Sequence, residues 1–166
     1  MILAKAIPLV WLGLAFSLWN SQVSNQSIPP DTLITLERPS CFLGCPDYIV
    51  TISADGTVTF EGKTNVKVKG KVQSNISLEK VQLLIAAFEK AKFFSLRDRY
   101  AWKEDGCRQV WIDSNSAITS IVINGKSKSV NHYLGCHRKG DIPYPRVLSE
   151  LEEKIDEVAN TDQWVE

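Results

Sequence analysis

At 166 residues the chain has room for one domain, and no period of about 20 to 50 residues marks a repeat array. Hydrophobic residues make up 44% and charged residues 23%, ordinary globular values, and five tryptophans with six phenylalanines can fill a core. Nineteen basic side chains cancel nineteen acidic ones, which excludes the strong field of a nucleic-acid binder and offers no overall attraction to an anionic membrane.

The first residues, MILAKAIPLVWLGLAFSLWN, place one charge, Lys5, before an apolar run from Ala6 to Trp19. That run is shorter than the roughly 20 residues a bilayer span needs. A positive start, a short apolar stretch and small residues at Ala15 and Ser17 describe a secretory signal peptide over residues 1–17, with an uncleaved anchor as the alternative. Residues 18–31 are polar, end in a Pro-Pro pair and read as a flexible tether. The domain is expected over 32–166, exported to the periplasm, to the secreted space or to the outer side of an inner membrane.

TLITLER, from Thr32, is short and β-branched and predicts a first strand. PSCFLGCPDY follows, with Cys41 and Cys45 close enough to bridge locally. DYIVTISADGTVTFEG then alternates around Asp55-Gly56, a hairpin with Tyr48, Val50, Ile52, Val58 and Phe60 facing inward. NVKVKGKV, residues 65–72, alternates valine with lysine and predicts a further strand whose lysines face water. From the cap Ser77, the residues Leu78, Val81, Leu84, Ile85, Phe88 and Ala91 make the apolar stripe of a helix of about four to five turns. Residues 97–115 are irregular and rich in charge and aromatics, the kind of loop on which functional side chains concentrate. AITSIVINGKSKSVNHY is a second hairpin around Asn124-Gly125. Pro145 opens a last helix with Leu148, Leu151, Ile155 and Val158 buried and Glu150, Glu152, Glu153, Asp156 and Glu157 solvated, and Trp164 can pack back on the core. The order predicts an α+β, single two-layer domain: a mostly antiparallel sheet of about five to six strands with two helices on one face.

In an oxidising compartment four cysteines become disulfides, and three pairings exist. Cys41–Cys45 with Cys107–Cys136 is preferred, because the second pair brackets the later hairpin. Zinc could draw on Cys41, Cys45, Cys107, His132, Cys136 and His137, but C-x3-C and H-x3-C-H are not the usual knuckle spacings. A redox motif would want C-x-x-C opening a helix, and here a β-rich run follows. Phe42-Leu43-Gly44-Cys45 has the look of a lipoprotein box but lies about twenty residues beyond the apolar run.

No G-x-S-x-G, H-E-x-x-H or phosphate-cradling glycine loop occurs, so no catalytic residue, metal or cofactor is assigned. His132 sits on a strand as a hydrogen-bonded, partly buried structural histidine, and His137 is expected at the surface. Glu104, Asp105 and Asp113 could supply a carboxylate pair, with nothing to fix their separation. Tyr100, Trp102 and Trp111, together with His132 and His137, are the candidate binding residues, aromatic anchors being enriched at binding hot spots. The expected role is a non-catalytic binding or structural module contacting a protein or cell-surface component, with neither nucleic acid nor any membrane contact beyond an N-terminal anchor. The alternative is a hydrolase-like or thiol-redox enzyme using the 97–115 loop and Cys136-His137.

The motifs Cys41-Phe42, Gly44-Cys45-Pro46 and Tyr48, then SADGTVTFEG, VKVKGK and ISLEKVQLLIAAFEKAKFFSL, give the chain a resemblance. It resembles a family of exported bacterial domains of unknown function marked by C-F-G-x-C-P-x-Y, a D-G hairpin and a closing ID…W helix. The resemblance spans about residues 32–165, and Leu43 stands between Phe42 and Gly44 where the family pattern has none. It implies the architecture and export, and no activity.

Overall fold

A computed structural model describes residues 27–166. The apolar run and most of the tether therefore lie outside the described residues. The elements run β1 (Leu33–Arg38), β2 (Asp47–Ser53), β3 (Thr57–Thr64), β4 (Gly70–Asn75), α1 (Leu78–Lys90), β5 (Arg99–Tyr100), β6 (Gln109–Val110), β7 (Ser116–Ile123), β8 (Lys126–Tyr133), β9 (Cys136–His137), α2 (Arg146–Ala159) and α3 (Asp162–Val165). The fold is α+β, as expected, but its main sheet has seven strands in the order β4-β3-β2-β1-β7-β8-β5. A separate two-stranded ladder joins β6 and β9. All pairings in the main sheet are antiparallel except β5 with β8, a two-residue parallel edge hidden in what the sequence presents as irregular loop.

Period-two alternation builds the core directly. Ile34 and Leu36 lie opposite Ile52 and Val50, which in turn oppose Val58 and Phe60. All six are fully buried on the face covered by Val81, Leu84 and Phe88 of α1 and Leu148, Leu151, Ile155 and Val158 of α2. The other face carries Thr35, Thr51, Thr59 and Gln73, none of them buried. Trp164 packs its ring 5.0 Å from Phe60, so the chain end closes the core as its aromatic character suggested.

Four local expectations are corrected. The strand expected over 65–72 begins only at Gly70, because Asn65 adopts φ 54° and residues 65–69 fold back over the sheet. There Val68 N–H donates to Trp164 O at 2.9 Å, and Val66 and Val68 are partly buried against the core rather than continuing a ladder. Gly62 makes this approach feasible, since a Cβ on it would stand 2.0 Å from Val68 O. Helix α1 is 13 residues long, shorter than expected, because Lys92 turns left-handed (φ 50°) just after its cap, and Leu78 at its first turn is exposed.

The other two corrections fall on α2, where Glu152 and Asp156 are not simply solvated. Glu152 is buried, and it occupies the core stripe Leu148, Glu152, Ile155, Ala159 at i, i+4, i+7, i+11. Asp156 is half-buried and gathers four hydrogen bonds. It accepts from Arg38 Nε and Nη2 at 3.1 and 2.8 Å, from the Tyr48 hydroxyl at 2.8 Å and from Thr161 Oγ1 at 3.0 Å. Burial, followed by the neighbouring Asp156 charge, raises the Tyr48 phenol well above its ordinary value. Asp156 thus bolts α2 to β1 and β2.

Candidate functional site

Both disulfides form as preferred. Cys41–Cys45 has an S–S distance of 2.01 Å and Cα atoms 5.1 Å apart, and Cys107–Cys136 has 1.97 Å and 5.2 Å. With all four cysteines in disulfides, none is a free thiolate that could bind zinc. Two disulfides are consistent with an oxidising compartment. Among the described residues no helix is long and apolar enough to cross a membrane.

Cys107–Cys136 anchors the loop that follows α1. Its Cys136 lies in the β6–β9 ladder, where Val110 opposes Cys136 and Gln109 opposes His137, and its Cys107 stands just before β6. Arg108 N–H donates to His137 O and Trp111 N–H to Gly135 O, each at 2.8 Å. Gly135 admits that contact, since a Cβ there would meet Trp111 O at 2.3 Å. The Tyr133 hydroxyl donates to Trp111 O at 2.8 Å and accepts from Ser114 N–H at 3.1 Å. The segment around Trp111 is fixed from both sides.

Asp105 organises the other half of the loop. It accepts from Arg99 Nε at 2.9 Å and from the backbone N–H groups of Ala101 and Trp102 at 3.0 and 3.1 Å. The Arg99 bond, reinforced by those two N–H groups against the opposing effect of burial, holds its carboxyl below the ordinary carboxylate range. A depressed native pKa contributes order that is complete above the ordinary carboxylate range and lost as pH falls through the depressed value. The protection factors of the 99–107 amides, each rate taken against its intrinsic rate at the same pH, are therefore expected to fall on acidification below about pH 4. Asp105→Asn should show low protection factors already at pH 7 and little further change in acid. An Asp105→Asn protein with wild-type protection at both pH values would refute this role.

The candidate side chains separate into two groups. Tyr100 is buried, edge-on to Tyr144 with ring centroids 5.7 Å apart, and its hydroxyl accepts from Arg97 N–H at 3.1 Å. His132 is fully buried: its Nδ1 donates to Glu152 Oε1 and Oε2 at 3.0 and 3.1 Å, and its Nε2 has no hydrogen-bond partner among the described residues. His137, expected at the surface, is only 2% exposed. It stacks under Trp111 with centroids 3.8 Å apart and donates Nδ1–H to Gly140 O at 3.2 Å. Burial in the β6–β9 ladder explains the difference, since that ladder was invisible as a two-residue pattern. Trp102 and Trp111 remain 53% and 42% exposed. Trp102 lines an open concavity with Lys103, Glu104 and Val110, which contains no histidine. Asp113 is exposed, whereas Asp105 is committed to Arg99, so the two do not share a role.

Sequence reasoning passed over the most exposed apolar side chains. Phe42 and Leu43, at the tip of the Cys41–Cys45 loop, are 92% and 75% exposed, and Ile112 is 83% exposed. Two large apolar residues enclosed by a five-residue disulfide loop have nowhere to be buried, which is the signal that was available.

A one-sided helical cover on an open, largely antiparallel sheet, with disulfide-braced loops and no metal-binding cluster among the described residues, defines a disulfide-stabilised α+β domain. The chain belongs to the family described as a domain of unknown function (DUF6438), which matches residues 32–159. No curated protein matches it.

Proposed function

We propose that this chain is an exported, non-catalytic binding module whose recognition surface is the disulfide-braced loop bearing Trp102 and Trp111, and that its partner is a protein or a component of the cell surface. One observation carries the reading. The groups able to do chemistry are withdrawn, with Cys107 and Cys136 oxidised and His132 and His137 buried, while two tryptophans are held outward on a rigid support. Exposed aromatic anchors beside a polar rim are the usual energetic centres of an interface. Export, to the periplasm, the secreted space or the outer side of an inner membrane, is supported by the paired disulfides and by the signal-like start of the sequence.

Chemical cross-linking of the full chain in envelope extract, compared with Trp102→Ala and Trp111→Ala, tests the proposal. The expected result is a partner band weakened on the order of tenfold in either variant, with the melting temperature unchanged for Trp102→Ala and lowered for Trp111→Ala, whose indole covers His137. Lost thermal stability with undiminished capture would make the tryptophans structural and overturn it. So would thiol–disulfide exchange activity abolished by Cys136→Ser.

A further inference from the structure

Strand register shows that five strand ends meet on one side of the molecule. Arg38 opposes Tyr48, Asp47 opposes Thr64, Glu37 opposes Ile118 and Ser116 opposes Tyr133. The connections 39–46, 65–69 and 111–115, and the stretch 134–145 that carries β9, therefore all emerge at the same end of the sheet. Phe42, Leu43 and Ile112, the three most exposed large apolar side chains among the described residues, lie on two of these connections. The two are neighbours, because β1 lies beside β7.

The tip of the first connection is rigid. Gly44 N–H donates to Cys41 O at 3.1 Å, closing a turn with Phe42 and Leu43 as its central pair, and the Cys41–Cys45 disulfide closes it again. Asn65 Nδ2 donates to Cys45 O at 3.3 Å, tying this loop to the segment that carries Lys67 and Lys69. Neither lysine makes an ion pair among the described residues, whereas Lys63 and Lys71 beside them are paired with Glu37, Asp47 and Glu61. Across the four connections and the chain end that Lys67 and Val68 bond, Lys67, Lys69, Arg138 and Lys139 outnumber Asp113, Asp141 and Glu166 by one, a small local excess of positive charge in a chain that is neutral overall.

We infer that this end of the sheet docks on an anionic lipid surface, with Phe42, Leu43 and Ile112 entering the acyl boundary and Lys67 and Lys69 meeting the headgroup phosphates. An apolar pair on one loop tip and a single apolar side chain on another, beside unpaired lysines, suit a fluid interface better than a shaped protein pocket. The chain-wide charge balance concealed this, because the excess is local. The surface adjoins the tryptophan-bearing loop through Trp111 but uses none of the residues that line the Trp102 concavity, and the inference stands whether or not that concavity binds a partner.

The test places the probe at the tip, because residues 1–26 could partition into lipid on their own. Full-length Phe42→Trp is mixed with vesicles of phosphatidylglycerol and phosphatidylcholine whose acyl chains are brominated near the headgroup, and its emission is compared with that of the wild-type chain. Quenching of the added indole is expected in phosphatidylglycerol vesicles, falling with salt, and weak in pure phosphatidylcholine. Adding Leu43→Ser should weaken tip insertion on the order of tenfold. Adding Lys67→Gln and Lys69→Gln should weaken it about fivefold for each charge. The substituted side chains are exposed, so an unchanged melting temperature certifies the fold. An indole at residue 42 that stays unquenched at saturating phosphatidylglycerol would overturn the inference. So would quenching indifferent to the lysines, or vesicle-independent burial of that indole through self-association.

Discussion

Replacing Glu152 with alanine is expected to lower the free energy of unfolding by about 3 kcal/mol. His132 and Glu152 are 0% and 1% exposed, and Nδ1 of His132 shares its proton with both carboxylate oxygens. The buried Thr119 hydroxyl donates a long hydrogen bond to Glu152 Oε1 at 3.5 Å, and the Arg38 guanidinium is near enough to interact with the Glu152 charge. Truncating Glu152 leaves an imidazole with both nitrogens unpaired in a dry core, as well as a cavity. Glu152→Gln keeps the shape and an acceptor for Nδ1–H, so about 1 kcal/mol is expected there. The double change His132→Leu with Glu152→Leu removes every polar atom of the pair and should recover most of the loss. Urea unfolding of the three proteins checks the order. A Glu152→Ala protein as stable as wild type would mean that the pair contributes nothing, and a double variant worse than Glu152→Ala would mean that shape, not polarity, governs the site.

Removing the Cys107–Cys136 bridge should cost a similar amount, about 3 to 4 kcal/mol, from loop-closure entropy over a sequence separation of 29. Removing Cys41–Cys45 should cost only about 1 to 2 kcal/mol, since it closes a separation of 4. The geometry widens the difference. The longer bridge holds a ladder of only two residue pairs, which would be marginal alone, whereas the shorter one sits between β1 and β2, already paired over six positions. Paired serine substitutions, with unfolding followed in urea and exchange followed on the 99–111 amides, separate the two cases. Equal losses for the two bridges would show that entropy of closure is not the controlling quantity. Non-reducing peptide mapping giving 41–107 or 45–136 links would reject the pairing itself.

Most of the sheet could be read from the chain because its signals are local. Asn124 and Gly125 adopt φ 53° and 69°, the backbone a two-residue hairpin requires, and the alternation on either side sets the register. The reading failed where an element is defined by its partner. Residues 65–69 alternate like a strand but are claimed by α3, and β5, β6 and β9 are each two residues long, too short to carry any period. The same reason hid the site. His137 is buried by a ladder with no pattern of its own, and Glu152 looks solvated if charge alone is weighed. Its spacing with Leu148 and Ile155 places it inside, so the information was present and outweighed by residue type. Nothing in the sequence joins Phe42 to Ile112, because only the β1–β7 pairing makes their loops neighbours.

The N-terminal approach to the domain is fixed as firmly as its loops. Asp31 accepts from Asn124 and Gly125 N–H at 3.0 and 2.6 Å, which seats residue 31 at the hairpin end of the sheet, opposite the end where the connections emerge. From there the chain enters β1, the middle strand of seven, paired on both sides. A pull between the N-terminus and anything gripping the far loops therefore runs along the strand axis. It loads the hydrogen bonds of both β1 ladders together in shear, where an edge strand peeled sideways would lose its bonds in succession. The two points of grip lie a strand's length apart, about 25 Å for eight residues, and tension between them runs along the domain's strongest direction.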